Sequence, residues 1–250
     1  MNLEAYLNRI GIEGRGSADL AFLSHLQSQH MLSVPFENLD IHRGIRITLD
    51  ADRIFQKVVG NRRGGFCYEL NGLLYYALRE LGYDVTMVSG EVKRKDGTYG
   101  PPFDHLALLV HLDRDYLVDV GFGDSVRTPL PMTGEEVEDV SGLYRIQLDS
   151  TVPHGYLFQK KIEGEWVAEY RFTTVPRLFE DFADMCEYHQ TSPQSSFTQK
   201  ELASLSTPTG RVTYSGDDLI ITEGKEKTRV PIQSDGDKRR ILQHYFGIAI

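Results

Sequence analysis

The apolar period of this chain changes near residue 85, and that change limits the folds open to it. Before it, Leu70, Leu73, Leu74, Ala77, Leu78 and Leu81 recur at offsets of three and four until Gly82 supplies a stop. This is the spacing of a helix with one buried stripe. Two earlier helices belong to the same third of the chain. Ser17 can cap one carrying Leu20, Phe22, Leu23 and Leu26, and Asp50 can cap one carrying Ile54, Phe55, Val58 and Val59. After the change, segments 86–93, 106–112, 116–120, 144–148, 157–162 and 166–172 read as strands separated by turn residues. Segment 178–188 returns to helix, 212–214, 218–222 and 227–231 form a short meander, and 237–246 closes as a helix. With no repeat and no long linker, the helical, β-rich and mixed regions are expected to pack as one α+β unit.

At 250 residues, with 40% hydrophobic and 25% charged, the chain has ample material for a core. Its net charge of −9 argues against general affinity for nucleic acid or anionic membranes. No apolar run approaches the ~18 residues of a membrane span. Segment 1–14 lacks a basic start followed by a continuous apolar stretch, so a cytoplasmic protein is expected. The two cysteines, Cys67 and Cys186, are read as free thiols. No Cys-x-x-Cys pair or His-Glu-x-x-His helix is present, so no metal site is expected. His30, His42, His154, His189 and His244 stand singly and are assigned to surface or packing.

Cys67 follows the glycine pair Gly64-Gly65 and opens the helix that ends at Gly82. Unpaired amides in a first helical turn carry partial positive charge, which favours thiolate over thiol. Arg62 and Arg63 would add to that effect. A cysteine nucleophile needs a proton acceptor, and an imidazole acceptor needs a third group to orient it. His105 and Asp119 are the candidates. His105 opens the apolar run 106–110, and Asp119 interrupts the apolar segment 116–120, where a carboxylate must find donors.

The turn at 113–115 makes these segments an antiparallel hairpin. If Leu112 faces Tyr116, Asp119 lies opposite Leu109, on the same face as His105 but ~13 Å along the strand. A register tighter by two residues makes Asp119 a diagonal neighbour at ~7 Å. Alternation therefore sets the face and leaves the separation open, with Asp104 as another possible partner for His105.

The motifs Arg62–Asn71 (RRGGFCYELN), Val34–Leu39 (VPFENL), His105–Val110 (HLALLV), Val118–Gly123 (VDVGFG) and Ser192–Phe197 (SPQSSF) occur in this order. On them, the chain resembles the arylamine N-acetyltransferases over nearly its whole length. The resemblance implies a helical domain over 1–84 carrying the nucleophile, a central β-barrel over 85–190 carrying the histidine and aspartate, and a C-terminal α/β lid over 191–250. It assigns a cysteine-protease-like triad to Cys67, His105 and Asp119. It further implies a ping-pong reaction, with acetyl-coenzyme A as donor and an aromatic amine, hydroxylamine or hydrazine as acceptor. Phe36, Phe103 and Phe122 become walls for a flat ring, and Gly121 and Gly123 a small anion nest for the cofactor pyrophosphate. Triad chemistry alone also serves a cysteine hydrolase, a transglutaminase-like enzyme or an amide synthase. A catalytically silent binding module is a further alternative.

Overall fold

The computed structural model describes residues 1–249. Five helices precede the first long strand: α1 (Leu3–Arg9), α2 (Leu20–Ser33), α3 (Leu39–His42), α4 (Ala51–Phe55) and α5 (Cys67–Glu80), with a π-helical turn at Gln56–Gly60 after α4. Asp50 caps α4 through the amides of Asp52 and Arg53, as expected. The cap of α2 is Asp19 rather than Ser17: its carboxylate accepts from Phe22 N–H, leaving Ser17 outside the helix. An N-cap side chain reaches the free amide two or three residues ahead, here that of Phe22, which lies five residues beyond Ser17.

The strands are β1 (Phe36–Glu37), β2 (Asp84–Val92), β3 (His105–His111), β4 (Asp115–Val118), β5 (Leu130–Pro131), β6 (Val137–Asp139), β7 (Gly142–Asp149), β8 (Gly155–Ile162) and β9 (Glu165–Thr173). All but β1 form one eight-stranded sheet in the order β5-β4-β3-β2-β9-β8-β7-β6. The sheet curls until β5 lies against β7, so it is barrel-like and nearly closed. Then come α6 (Ala183–Thr191), α7 (Ser196–Gln199), β10 (Leu202–Thr207), β11 (Gly210–Ser215), β12 (Asp218–Glu223), β13 (Glu226–Pro231) and α8 (Asp235–Phe246). Strands β10 to β13 form a second sheet whose inner edge pairs with β1. This is the expected α+β architecture.

Strand β3 shows how the site comes to be inside. Its even residues Leu106, Leu108 and Val110 join the core around the helices, while Ala107 and Leu109 point into the barrel with Phe158, Tyr170 and Phe172. A strand buried on both faces reads as an unbroken apolar run, as this one does. His105 belongs to the odd, barrel-facing set. Pairing of β3 with β4 sets Leu108 opposite Val118 and Val110 opposite Tyr116. This is the tighter of the two registers, so that Asp119 leaves β4 diagonal to His105.

Candidate active site

The approach to Cys67 depends on close backbone packing. Gly64 runs along segment 35–37, where a Cβ would lie 1.8 Å from the Pro35 carbonyl oxygen. Only glycine fits there. Cys67 is the first residue of α5, behind Phe66, whose side chain offers no capping acceptor. The Glu69 carboxylate instead reaches back to Phe66 N–H at 3.1 Å. Glu69 is held in turn by Lys57 Nζ at 2.9 Å, and Lys57 also meets Asp40 at 2.9 Å. Arg63 binds Glu37 and Asp40, so its charge is spent in this cluster rather than on the sulfur.

Burial is the largest influence on Cys67 and pushes its thiol well above the usual range. A Leu106 backbone amide draws it down, and the carboxylates of Asp119 and Asp104 push it further up. The expected depression of the thiol pKa by the helix end and arginines is thus corrected. A lone thiolate here has lost more hydration than the helix amides return. Transfer of the proton to an imidazole in the same enclosure leaves the total charge unchanged and avoids most of that penalty.

His105 Nε2 lies 2.7 Å from Asp119 Oδ2, and both side chains are buried. The carboxylate requires the ring proton on Nε2, leaving Nδ1 as the nitrogen free to accept another. Asp119 takes three more donors: Tyr170 Oη at 2.9 Å, Asn71 Nδ2 at 2.8 Å and Gly121 N–H at 2.9 Å. Burial raises its pKa, but the His105 charge and these hydrogen bonds outweigh that and hold the carboxyl below its ordinary value. Asn71 also donates to the Leu106 carbonyl at 2.7 Å and accepts Val120 N–H at 3.0 Å. Tyr170 and Asn71 are site residues that the sequence reading missed. Asn71 stands one helical turn after Cys67, and that spacing was its available signal.

Cys67 and His105 border one cavity of about 250 Å³, together with Phe36, Phe122, Gly121, Gly123 and Phe197. Phe103 is not on this wall. Its ring packs edge-on against Phe182 at 5.2 Å, and its carbonyl accepts from Tyr68 Oη at 2.7 Å. The proposed nest also needs correction at Gly121, whose amide is committed to Asp119. Its lack of a side chain has another use, because a Cβ there would lie 2.6 Å from Cys67 Cα. Gly123 borders the cavity with open space where a Cβ would stand. The Asp104 carboxylate makes no hydrogen bond to His105; its Oδ1 lies 3.2 Å from Nε2 of His189, and His189 borders the same cavity. Among the described residues, no group of His, Cys, Asp and Glu is suited to hold a metal ion.

A family model described as N-acetyltransferase matches residues 19–250. Arylamine N-acetyltransferase 2 of Mus musculus is 33% identical over all of this chain and 95% of that protein. The arylamine N-acetyltransferase of Mycobacterium marinum, solved in complex with CoA, superposes with a TM-score of 0.91 at 32% identity, covering 99% of this chain and 93% of that one. A Bacillus cereus arylamine N-acetyltransferase, for which a Cys-His-Glu catalytic triad is described, gives a TM-score of 0.93 at 27% identity over the full length of both chains. With the ordered motifs, the barrel-like sheet and a cavity shared by Cys67 and the Asp119-bound His105, this chain belongs to the arylamine N-acetyltransferase family.

Proposed function

We propose that the protein transfers an acetyl group from acetyl-coenzyme A to the nitrogen of an aromatic amine, hydroxylamine or hydrazine, through an acetyl-cysteine at Cys67. The observation that carries this reading is the common cavity of Cys67 and His105, with the His105 ring oriented from behind by a buried Asp119. In the first step His105 Nδ1 takes the Cys67 proton as the sulfur attacks the thioester carbonyl. The C–S bond to coenzyme A then breaks, and its thiolate leaves with a proton returned from the imidazolium. In the second step the amine attacks the acetyl-cysteine, its proton passes to His105, and Cys67 is released as the thiol. The Cys67 amide is the natural donor to the tetrahedral oxyanion. Asp119, kept ionised by its four donors, fixes the ring tautomer and offsets the imidazolium charge.

Phe36 and Phe122, joined by Phe197, make the cavity apolar, which favours a flat ring over water, the competing acceptor. Gly123 is the remaining glycine to which we assign a backbone approach to coenzyme A. The division at 1–84, 85–190 and 191–250 is retained as a proposal, supported by the order of helices, barrel-like sheet and second sheet along the chain; the helical core is shared across the first boundary, since Val85, Met87, Leu106 and Leu108 belong to it. We assign the protein to the cytoplasm, where a reducing environment matches two unbridged cysteines.

Mass spectrometry after incubation with acetyl-coenzyme A and no acceptor tests the reading. One acetyl group is expected on the peptide containing Cys67, lost on adding aniline with formation of acetanilide. Cys67→Ser is expected to abolish both, because a hydroxyl does not ionise usefully at neutral pH. Normal turnover by that variant would discard the assigned nucleophile.

A further inference from the structure

The cavity shared by Cys67 and His105 is uneven in charge. Asp104 is the carboxylate on its wall, and among the described residues no lysine or arginine borders it. A second carboxylate, Asp119, stands behind the His105 ring, 2.7 Å from Nε2. Cys67 registers the resulting field: beyond the effect of burial, the charges of Asp119 and Asp104 both push its thiol upward. With both imidazoles of the wall neutral, the enclosure carries negative charge and no fixed cation.

Asp104 is set in place from behind. Val92 N–H donates to its Oδ2 at 3.3 Å, and a Cβ on Gly100 would lie 2.2 Å from that oxygen, so Gly100 makes room for the carboxylate. The side chain keeps 14% exposure. Its Oδ1 lies 3.2 Å from His189 Nε2, and a carboxylate oxygen with two lone pairs has capacity for a further donor. The His189 ring cancels the charge of Asp104 only when doubly protonated; as neutral imidazole it leaves that charge whole. The other large side chains on the wall are aromatic. Phe36 and Phe197 pack at 6.1 Å, and Phe122 lies across the His105 ring at 5.3 Å. Ring faces attract cations, so the aromatic wall and the carboxylate favour the same kind of guest.

The reacting nitrogen of an acceptor must be neutral to attack, so any charge the acceptor brings is carried by a substituent on its ring. An ammonium or amidinium substituent is drawn to Asp104 in an apolar enclosure of about 250 Å³, where a charge is screened far less than in water. A carboxylate substituent meets like charge and finds no lysine or arginine to offset it. We propose that Asp104 makes this cavity selective for acceptors whose aromatic ring carries a cationic substituent, and selective against those whose ring carries a carboxylate. This deepens the acetyl-transfer reading and rests on it for the word acceptor.

Binding without turnover tests the charge preference. Benzylamine, benzyl alcohol and benzoate are titrated into the protein and followed by NMR of residues around the cavity. The wild type is expected to bind benzylammonium about tenfold more tightly than benzyl alcohol, and benzoate more weakly than either. Asp104→Asn should remove the advantage of the cation and improve benzoate. His189→Gln, which takes away the ionisable ring beside Asp104, should keep the wild-type order. With acetyl-coenzyme A present, kcat and KM are then measured for 4-aminobenzylamine, 4-methylaniline and 4-aminobenzoate. Each acceptor is compared with itself across the variants, so its intrinsic nucleophilicity cancels, and the change is expected in KM. Three results overturn the proposal: benzoate bound by the wild type as tightly as benzylamine, a cation preference that emerges only in His189→Gln, or an effect of Asp104→Asn that is equal for all three charges, which means a structural role. If the binding order behaves as expected while none of the amines is acetylated, the charge selection stands and the acetyl-transfer reading fails.

Discussion

His30 shows what one buried side chain does to the response to acid. It lies in the helical core with no exposure, its Nδ1 2.9 Å from Tyr6 Oη. Burial, aided by the Arg9 charge, pulls its pKa down to about 3. In the unfolded chain the ring titrates near ~6.5. The unfolded state therefore binds a proton that the folded state refuses at pH values between these two. The contribution of neutral His30 is complete above about pH 6.5 and is lost as pH falls toward the folded value, at about 1.4 kcal/mol per pH unit. His30→Gln, which keeps a partner for Tyr6, is expected to remove that slope. Urea unfolding at pH 6.5 and 5.5 should show the wild type losing about 1 kcal/mol more than the variant over that interval. Equal losses would show that His30 takes up its proton without unfolding.

The start of α5 is stabilised as an element rather than by its first residue. Lys57, on the π-helical turn, joins Glu69, the group that ties back Phe66 N–H, to Asp40, which Arg63 also holds. Burial raises the pKa of Glu69 even with Lys57 beside it, so an uncompensated carboxylate here would be expensive. Lys57→Met is expected to lower stability by about 3 kcal/mol in urea unfolding, with Lys57→Arg recovering most of it. A loss within a few tenths would mean that Arg63 alone balances the cluster. This helix was legible in the sequence because six apolar positions share one stripe and Gly82 ends it. The common face of His105 and Asp119 was legible because alternation fixes faces. Their separation was not, since a slip of two residues preserves the face and changes only which neighbours meet. Strand β10 was passed over because Leu202–Thr207 mixes small polar residues with few branched ones, and its place comes from pairing with β1 and β11. His189 offered no local signal at all: its partner Asp104 arrives from a distant loop.

At the scale of the whole molecule, the cavity lies where the helices, the barrel-like sheet and the C-terminal sheet meet, and Asn38 fastens that junction. Its side-chain amide donates to the carbonyls of Phe197 and Lys200 at 3.0 and 2.8 Å, and its oxygen accepts Leu202 N–H at 2.7 Å. The ring of Phe197, a cavity wall, therefore takes its position partly from a residue beside β1. Asn38→Ala is expected to cost about 3 kcal/mol, near ~1 kcal/mol for each lost bond, and to raise KM for the amine more than it lowers kcat. Unchanged KM would mean that Phe197 keeps its place without this anchor.

Asn71 has the wider consequence. Because a single amide on the nucleophile's own helix grips the Leu106 carbonyl, the Asp119 carboxylate and the Val120 amide, the gap between sulfur and imidazole is gauged from one common foundation. Insertions or deletions in the turn at 113–115 must then be absorbed outward, at the solvent end of the hairpin, while the reacting end keeps its dimensions.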